Sequence, residues 1–419
     1  MENKQIAIIL ASILVVASIG VAFYAFSGND DNGSNGYDLN KDAVGRDVVV
    51  PDDINNGIVT IGVGTMRWVS YFQLEEKVVV RDMNDTSNYM GKSYMYAVGG
   101  VLDLLPATAQ TASPGALGDS DVQTILNLTK KPIVILSDSV YNQSSPQVNA
   151  LERGEINICV IYELEDYIDT SAFTVTEKFE YQAKLVGKVL KSSARADELI
   201  NGINGIIRDI RDLVKNVTPV DGYIGGLSYS GAKTAVYSSG SYLPFDLANV
   251  NNVLSDDNLV AGYSVSYLTT KITKDTVVFI DANGNGSLRT GADNESVALV
   301  KTFNTNGNDG YIAFPYVWYG LNFDNVLVGA YQIISYVYGD VLSKTLFTQK
   351  TNEVYDLFYG THDSSRTRAA ASVPAPTTTT SLYNDMSNQF VGSNSAANGW
   401  KAPLYGNAVF NADGTITNS

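Results

Sequence analysis

Residues 176–214 read TEKFEYQAKLVGKVLKSSARADELINGINGIIRDIRDLV and lie between two stretches of alternating strand and helix patterns. Apolar residues recur in this stretch at helical spacing, charged residues fill the other positions, and Pro219 follows it. The pattern predicts one helix of about 35 residues and about 50 Å, at 1.5 Å per residue, with Gly202 and Gly205 as the places where it would bend. A helix of this length between two mixed segments indicates a stiff connector that joins two lobes.

The chain before this connector alternates short apolar strands with helical segments. Its strands are continuous runs of β-branched residues, which are buried on both faces as in a parallel sheet. Strand–helix alternation of this kind predicts an α/β lobe. The predicted strands are residues 58–61, 77–81, 132–136 and 156–161, and the predicted helices begin near residue 66 and cover residues 121–128.

The chain after the connector repeats this organisation. The predicted fold class is therefore α/β, with two Rossmann-like lobes that contain parallel sheets, one long connecting α-helix and an N-terminal transmembrane helix. In the second lobe we expect strands at residues 222–226 and 276–281, an aromatic stretch at 311–322, and helices at 325–342 and 352–359. The expected divisions are a membrane anchor or signal segment (1–27), a flexible tether (28–43), an N-terminal α/β lobe (44–173), the connecting helix (174–217), a C-terminal α/β lobe (218–362), and a Ser/Thr/Pro linker with a C-terminal extension (363–419).

The amino terminus carries the signal for location. Residues 6–26 contain no charge and lie between Lys4 and the acidic residues Asp30 and Asp31. Such a run spans a bilayer as one helix, and the flanking charges place the bulk of the chain on the extracellular or periplasmic side of the cell membrane. A cleaved signal peptide is the alternative. Asn-x-Ser/Thr triplets, which are compatible with a glycosylated cell-surface protein, begin at Asn32, Asn84, Asn127, Asn142, Asn216, Asn285 and Asn294.

The composition excludes several classes of function. A net charge of −16 and a pI near 4.5 argue against nucleic acid binding, which needs a basic surface. The single histidine, His362, leaves no material for a two-histidine zinc site or for Ser-His chemistry. The single cysteine, Cys159, lies in an apolar run and is expected to be a core residue. Without a P-loop or a G-x-S-x-G motif, the sequence predicts no enzyme, no catalytic residue and no cofactor.

A series of short segments resembles, in order, the substrate-binding proteins of ABC importers for iron-siderophore and cobalamin-type ligands, the helical-backbone periplasmic-binding-protein family. The resemblance extends over roughly residues 44–360, and three differences stand out. Val317 and Gly320 occupy positions where the family has asparagine, and the segment that ends in Lys233 and Thr234 lacks the family's histidine. The matching segments are GRDVVVP (45–51), GVGTMR (62–67), LVGKVL (185–190), RADELI (195–200), YIGG (223–226), YLPF (242–245) and PYVWYGLN (315–322).

This resemblance implies a two-lobed binding protein that delivers a small-molecule ligand to a two-subunit permease with a cytoplasmic ATPase. The implied ligand is an iron complex, a siderophore, a corrinoid or a related anionic molecule, metal chelates included. A cell-surface protein that uses the same fold for adhesion or sensing is the alternative, because the C-terminal extension and the altered residues permit it. Neither function needs catalysis or a nucleic acid partner.

The ligand of such a protein lies between the lobes, at the carboxyl ends of the strands, where open α/β sheets also bind ligands. Arg67, beside a helix N-terminus, is the strongest candidate for an anion contact, and the alternative is a surface arginine. Lys233 adds a second positive charge, so an anionic ligand or metal chelate is favoured over a bare cation. The aromatic candidates, which are ligand contacts or core residues, are Trp68, Tyr229, Tyr242, Tyr316, Trp318 and Tyr319.

A further motif resembles half of a calcium loop. Asp281, Asn283, Asn285 and Gly286 match the start of that loop, but Ala292 occupies its twelfth position, where a glutamate is required. The segment also follows a predicted strand directly. We therefore expect a loop at a strand end and no metal site.

Overall fold

The computed structural model describes residues 37–85, 92–95, 97, 105–106, 108–163, 166–227, 234–257, 260–282, 284, 291–316, 320–360 and 406–418. Its described helices are α1 (Thr65–Tyr71), α2 (Asp119–Leu126), α3 (Asp138–Gln143), α4 (Ser145–Arg153), α5 (Glu177–Val189), α6 (Ser193–Val214), α7 (Leu243–Leu247), α8 (Val265–Lys271), α9 (Asn294–Asn306), α10 (Phe323–Val337) and α11 (Lys344–Tyr359), with 3-10 turns at Ile54–Asn56, Glu75–Lys77 and Met83–Asp85. The strands are β1 (Ile58–Ile61), β2 (Val78–Val80), β3 (Ile133–Ser137), β4 (Asn157–Ile161), β5 (Ile168–Asp169), β6 (Thr174–Val175), β7 (Val220–Gly225), β8 (Tyr237–Ser239), β9 (Val250–Asn252), β10 (Val260–Gly262), β11 (Val277–Asp281), β12 (Gly310–Ala313), β13 (Ala408–Phe410) and β14 (Ile416–Asn418).

Lobe one contains a parallel four-stranded sheet in the order β2-β1-β3-β4. Every residue of β1 and β3 is buried, as their uninterrupted apolar sequences predict, because helices or loops cover both faces of the sheet. Cys159 of β4 is buried as well. The predicted strands of this lobe are therefore confirmed, whereas helices α3 and α4 between β3 and β4 were not predicted.

Lobe two contains a second parallel four-stranded sheet, in the order β12-β11-β7-β9. In each lobe the first strand in chain order lies between the second and the third. The chain therefore reverses direction across each sheet between β1 and β3 and between β7 and β11. Such reversals create crevices at the carboxyl ends of the strands, where α/β proteins bind ligands.

The prediction of one continuous connecting helix is wrong. The connector consists of two helices, α5 and α6, that are separated at residues 190–192 and pack against each other. Of these, α6 contacts strand β6 of lobe one and helices α10 and α11 of lobe two, so a single helix of about 33 Å still links the lobes. It continues through Gly202 and Gly205, the two positions at which a bend was expected.

The break has a clear local cause. Lys191 adopts a left-handed conformation with φ of 54°, the Ser192 amide donates to the Gly187 carbonyl at 2.7 Å, and the Lys191 amide donates to the Lys188 carbonyl at 3.2 Å. These two bonds form a Schellman motif, which ends a helix. A Cβ atom at Gly187 would lie 2.8 Å from Cβ of Ala196, so only glycine allows α5 and α6 to approach this closely. The sequence has lysine where glycine usually marks such an end, which is why the break was not predicted.

The two lobes share one continuous hydrophobic core. Phe323, the first residue of α10 in lobe two, packs against Trp68, Tyr71, Tyr167 and Phe179 of lobe one and its connector, with ring centroids 4.4–6.1 Å apart. The hydroxyl of Tyr167 also donates to the Phe323 carbonyl at 2.5 Å. The lobes are therefore fixed to each other on this side by buried apolar contact.

The end of the chain packs on lobe two. Strands β13 and β14 form an antiparallel hairpin, and Asn407 pairs with Tyr311 of the sheet's edge strand β12. Phe410 lies over Gly310, where an added Cβ would approach its ring to 2.5 Å. The position of this C-terminal extension could not be predicted from the sequence.

The proposed anchor, residues 6–26, lies outside the described residues. Within the part of the chain that the structure describes, no helix is both long enough and apolar enough to cross a membrane.

Candidate ligand-binding site

The loop that follows β1 brings lobe one to the junction between the lobes. Gly62, with φ of 103°, is required because a Cβ atom there would lie 2.1 Å from Oγ of Ser137, at the end of β3. The Gly62 amide donates to a carboxylate oxygen of Asp82 at 3.0 Å. Gly64 then takes up a left-handed conformation immediately before α1. This loop, predicted from the Gly-Val-Gly sequence, places Arg67 in the first turn of α1.

Arg67 bridges the lobes and is only 2% exposed. One terminal nitrogen of its guanidinium donates to Oδ1 of Asn322 at 3.1 Å and lies 3.4 Å from the Gly320 carbonyl oxygen, and both acceptors belong to lobe two. The guanidinium carbon lies 5.0 Å from the centroid of the Tyr94 ring, a cation–π contact with lobe one. These contacts place Arg67 between the lobes, and its binding of a ligand stays a prediction.

Charged groups of lobe one are buried behind this arginine. The Asp82 carboxylate accepts backbone N–H groups from Gly62, Asn84 and Gly115 at 2.8–3.1 Å. Oδ1 of Asp85 accepts the Tyr94 hydroxyl at 2.6 Å. Lys92, which completes this cluster of Asp82, Asp85 and Lys92, is 1% exposed and donates to the Asn84 carbonyl.

Burial shifts the pKa values of Asp85 and Lys92 in this cluster. Burial, assisted by the charge of Asp82, raises the pKa of Asp85 to about 6, although Lys92, the Tyr94 hydroxyl and Arg67 act in the opposite direction. Burial lowers the pKa of Lys92, and the two carboxylates partly offset this effect. The cluster therefore contains a carboxyl group that titrates close to physiological pH.

A second polar cluster connects the lobes around Asp324, on the first turn of α10. Its carboxylate accepts hydroxyl groups of Tyr71 (3.0 Å) and Ser93 (2.9 Å) from lobe one and of Tyr359 (2.8 Å) from α11. Asp324 is fully buried, and burial raises the pKa of its carboxyl group although the Ser93 and Tyr359 hydroxyls lower it. This cluster stabilises the relative position of the lobes.

No protein-family model and no curated protein matches the sequence. The structure, in contrast, is similar to solved binding proteins. The molybdate periplasmic binding protein MolA of Haemophilus influenzae, bound to molybdate, has a TM-score of 0.55 and 14% identity, covering 77% of this chain and 98% of that chain. A periplasmic solute-binding protein of Veillonella parvula has a TM-score of 0.54 and 13% identity, covering 78% and 94%. The TroA-like periplasmic binding protein FepB of Veillonella parvula has a TM-score of 0.51 and 14% identity, covering 76% and 95%.

The chain has the fold of the helical-backbone periplasmic binding proteins. The family resemblance that the sequence motifs indicated is thereby confirmed at the level of the fold, with two α/β lobes and two parallel sheets. In this fold, Arg67 of lobe one contacts Gly320 and Asn322, which follow β12 in lobe two. It therefore lies where the two lobes meet.

Three of the other candidate ligand residues, Trp68, Tyr242 and Tyr316, lie within the described residues. The Trp68 ring is 2% exposed and packs against Phe179 and Phe323. Tyr242 and Tyr316 are 1% and 4% exposed and pack edge to face, 4.8 Å apart. All three rings are therefore part of the core, which was the alternative to a role in ligand binding. Contact between these rings and a ligand stays a prediction. Outside the described residues lie Tyr229, Lys233, Trp318 and Tyr319.

The calcium-like motif begins at the end of β11. A carboxylate oxygen of Asp281 accepts the Tyr316 amide at 2.9 Å, which ties the loop after β11 to the loop after β12. Asp281 is the last residue of β11, whereas Asn283, Asn285 and Gly286 lie outside the described residues, so the expected loop stays a prediction. Among the residues that are described, no group of three or more His, Cys, Asp or Glu side chains is placed to hold a metal ion.

Sequence reasoning missed the polar residues that surround Arg67 and Asp324. Asn322 and Asp324 had a usable signal, since they stand where an aromatic loop meets a helix start, a position that favours such residues. Asp85, Lys92 and Tyr94 had no comparable signal. Their spacing in the sequence matches neither the helix nor the strand period, so no local pattern indicates that they are in contact.

A cavity of about 290 Å³ lies elsewhere in the described part of the chain. Phe303, Asn304, Asp309 and the C-terminal residues Asn407 and Val409 line it, so it follows the seam between the hairpin and lobe two. Gly310, at the amino end of β12, also lines it, whereas Arg67 meets the segment after the carboxyl end of β12. This cavity is therefore not the candidate site.

Proposed function

We propose that the protein is the extracytoplasmic substrate-binding component of an ABC importer and holds an anionic small molecule between its lobes. It releases this ligand to a membrane permease that is powered by a cytoplasmic ATPase, and it catalyses no reaction. The fold supports this proposal because the similar solved structures are periplasmic binding proteins, and one of them is the cognate binding protein of an ABC transporter.

The proposal rests on the position of Arg67. The guanidinium lies at the carboxyl ends of the strands, between two lobes that each have a crevice there. The acceptors that the structure describes for it in lobe two, the Gly320 carbonyl and the Asn322 side chain, are neutral oxygens. An anion would compete for these N–H groups, because it adds ion-pair attraction and two parallel hydrogen bonds to the guanidinium.

The ligand class follows from the same residue. A planar guanidinium recognises carboxylate, phosphate and other oxyanions with two parallel hydrogen bonds. Iron complexes, ferric siderophores and corrinoids with acidic groups belong to this class, and so does molybdate, the ligand in the similar Haemophilus influenzae structure. Lys233, which lies outside the described residues, contributes a second positive charge to the site in this proposal, from the segment that belongs to lobe two.

Membrane attachment and glycosylation belong to the same proposal. Residues 6–26 would anchor the chain in the cell membrane and leave the lobes outside, next to the permease. Among the Asn-x-Ser/Thr triplets of the described residues, those at Asn127, Asn142, Asn216 and Asn294 present an exposed asparagine. Mass spectrometry of the protein from its own host would detect glycans at these positions and would show whether residues 6–26 are retained.

Retention of a ligand tests the import function directly. Protein purified from its own host is analysed by native mass spectrometry, and the ligand-free protein is then titrated calorimetrically with molybdate, ferric citrate, a ferric catecholate siderophore and cobalamin. We expect one of these compounds, or a retained host metabolite, to bind with a stoichiometry of one. Failure to retain or bind any of them would contradict the proposal and favour adhesion or sensing.

A pair of charge reversals tests the site. Arg67→Glu should weaken binding of that ligand at least about a hundredfold, because a buried carboxylate would face the anion. Arg153→Glu is the matched control, since Arg153 is exposed on α4 and the change in net charge is identical. Arg67→Lys keeps the positive charge. Binding retained in this variant would show that a substitution at this position does not by itself unfold the site. Equal affinity of wild-type protein and Arg67→Glu would refute the site.

A further inference from the structure

Asp85 has an unusual environment for a carboxylate. Its side chain is fully buried, Oδ1 accepts the Tyr94 hydroxyl at 2.6 Å, and Oδ2 accepts no hydrogen bond from any residue that the structure describes. The other face of this small network is the Tyr94 ring, which lies beneath the guanidinium of Arg67. One aromatic ring therefore separates a half-satisfied carboxylate from the arginine of the proposed ligand site.

We propose that protonation of Asp85 controls the affinity of the Arg67 site for its anionic ligand, so that binding strengthens as the pH falls. This inference rests on the proposed function, because it concerns the same site. It adds a regulatory device, a buried carboxyl group that reports the external pH to the ligand site without touching the ligand.

The charges around Asp85 determine the direction of the effect. The groups that face it are Asp82 and Lys92 of the same lobe, the Tyr94 hydroxyl, and Arg67 of α1. Two carboxylates and two cations balance each other when Asp85 is ionised. Protonation of Asp85 removes one negative charge and leaves the cluster with a net positive charge, which attracts an anion. Burial raises the pKa of Asp85 to about 6, so this change occurs within the range of external pH that a cell meets.

Linkage requires the converse effect. If protonation of Asp85 strengthens anion binding, the bound anion raises the pKa of Asp85 by the equivalent amount. Two unit charges about 10 Å apart at an effective dielectric constant of about 20 change a binding constant by roughly tenfold. We therefore expect the wild-type protein to bind its anion about tenfold more tightly at pH 5 than at pH 7.5.

The test is a pH series of calorimetric titrations with molybdate and ferric citrate as probes. Asp85→Asn mimics the protonated side chain, so its affinity at pH 7.5 should equal that of the wild-type protein at pH 5 and should not vary with pH. Asp119→Asn is the charge-matched control on the exposed surface of α2 and should keep the wild-type pH dependence. Because all variants meet the same probe, any titration of the probe itself cancels in the comparison.

Tyr94→Phe provides an independent test if Asp85→Asn folds poorly. Tyr94→Phe retains the ring beneath Arg67 but removes the hydrogen bond that stabilises the Asp85 carboxylate. The midpoint of the pH dependence should therefore move to higher pH in Tyr94→Phe. A wild-type affinity that is constant from pH 5 to 7.5, or an Asp85→Asn variant with wild-type pH dependence, would overturn the inference and leave the proposed function intact. Absence of binding to every probe at every pH would overturn both.

Discussion

The carboxylate of Asp324 in lobe two accepts the hydroxyl of Tyr71 in lobe one at 3.0 Å, inside a region that water does not reach. Ser93 and Tyr359 complete its coordination, so one buried carboxylate satisfies three hydroxyl groups that come from both lobes and from the last long helix. Next to it, Phe323 inserts its ring among aromatic residues of lobe one. The lobes of this protein are thus joined by a packed interface in addition to helix α6. An opening for ligand exchange that separates the lobes at this interface has to break these contacts.

Removal of the Asp324 side chain should destabilise the protein. Asp324→Ala removes the carboxylate that accepts the Tyr71, Ser93 and Tyr359 hydroxyls, at a cost of about 1–3 kcal/mol for each buried group left unsatisfied. The Tyr359 hydroxyl keeps the Ser93 hydroxyl as a second acceptor at 3.2 Å. We expect the free energy of unfolding to fall by about 3 kcal/mol or more, as measured by urea denaturation. Asp324→Asn, which keeps one acceptor oxygen and removes the buried charge, should lose less. A loss below about 0.5 kcal/mol for Asp324→Ala would show that the cluster does not hold the lobes together.

Truncation of Phe323 tests the apolar part of the same interface. Phe323→Ala should lower the free energy of unfolding by about 3–5 kcal/mol, because it opens a cavity among four aromatic rings. Leu346→Ala serves as the control, since Leu346 is 47% exposed and its truncation should change stability by less than about 0.5 kcal/mol. Thermal or urea unfolding provides the measurement, and similar values for the two variants would contradict the shared core.

Asp85 should also make stability depend on pH, independently of any ligand. Because burial raises its pKa above the unfolded value near 4, its contribution to stability is complete below about pH 4 and is lost as the pH rises through about 6. The stability of the wild-type protein relative to Asp85→Asn should therefore fall by about 2 kcal/mol between pH 4 and pH 7.5. Urea unfolding of both proteins across this range measures the difference. A constant difference would mean that Asp85 titrates as an exposed carboxyl group does.

The break between α5 and α6 predicts a stabilising substitution. Lys191→Gly should raise the free energy of unfolding by up to about 1 kcal/mol, because glycine adopts the left-handed conformation at this position without strain. Lys184→Gly, in the interior of α5, should instead lower it by about 1 kcal/mol, because glycine is a poor helix former. Destabilisation by both glycines to the same extent would indicate an unbroken helix in solution.

The C-terminal hairpin should protect the edge of the sheet in lobe two. Phe410→Ala removes the ring that covers Gly310 and contacts Phe303 at a centroid distance of 5.0 Å, so the hairpin should detach more readily. We expect faster hydrogen exchange in β12 and more aggregation on mild heating, because an exposed edge strand pairs with other chains. Val409→Ala is the neighbouring control, since Val409 is 42% exposed. Equal exchange rates in both variants would show that the hairpin is not needed to protect β12.

Much of the fold followed from local sequence. The apolar runs of β1, β3, β4 and β11 predicted buried parallel strands because a strand covered on both faces has no polar side to show. The connector was located correctly but predicted as one helix. A helix end that uses lysine in place of glycine gives no sequence signal, since its cause is the close contact between Gly187 and Ala196.

Two α/β lobes, a helical connector and an arginine behind a glycine loop could all be read from short stretches of residues, because strand periodicity and turn chemistry act over a few residues. The surroundings of Arg67 depend on contacts between distant parts of the chain. Asp85, Tyr94 and Asn322 meet at the junction because helices and strands from distant parts of the chain pack there, and burial then changes the titration of Asp85. Burial and long-range contact have no period in the sequence, so the electrostatics of the site appear only in the folded chain.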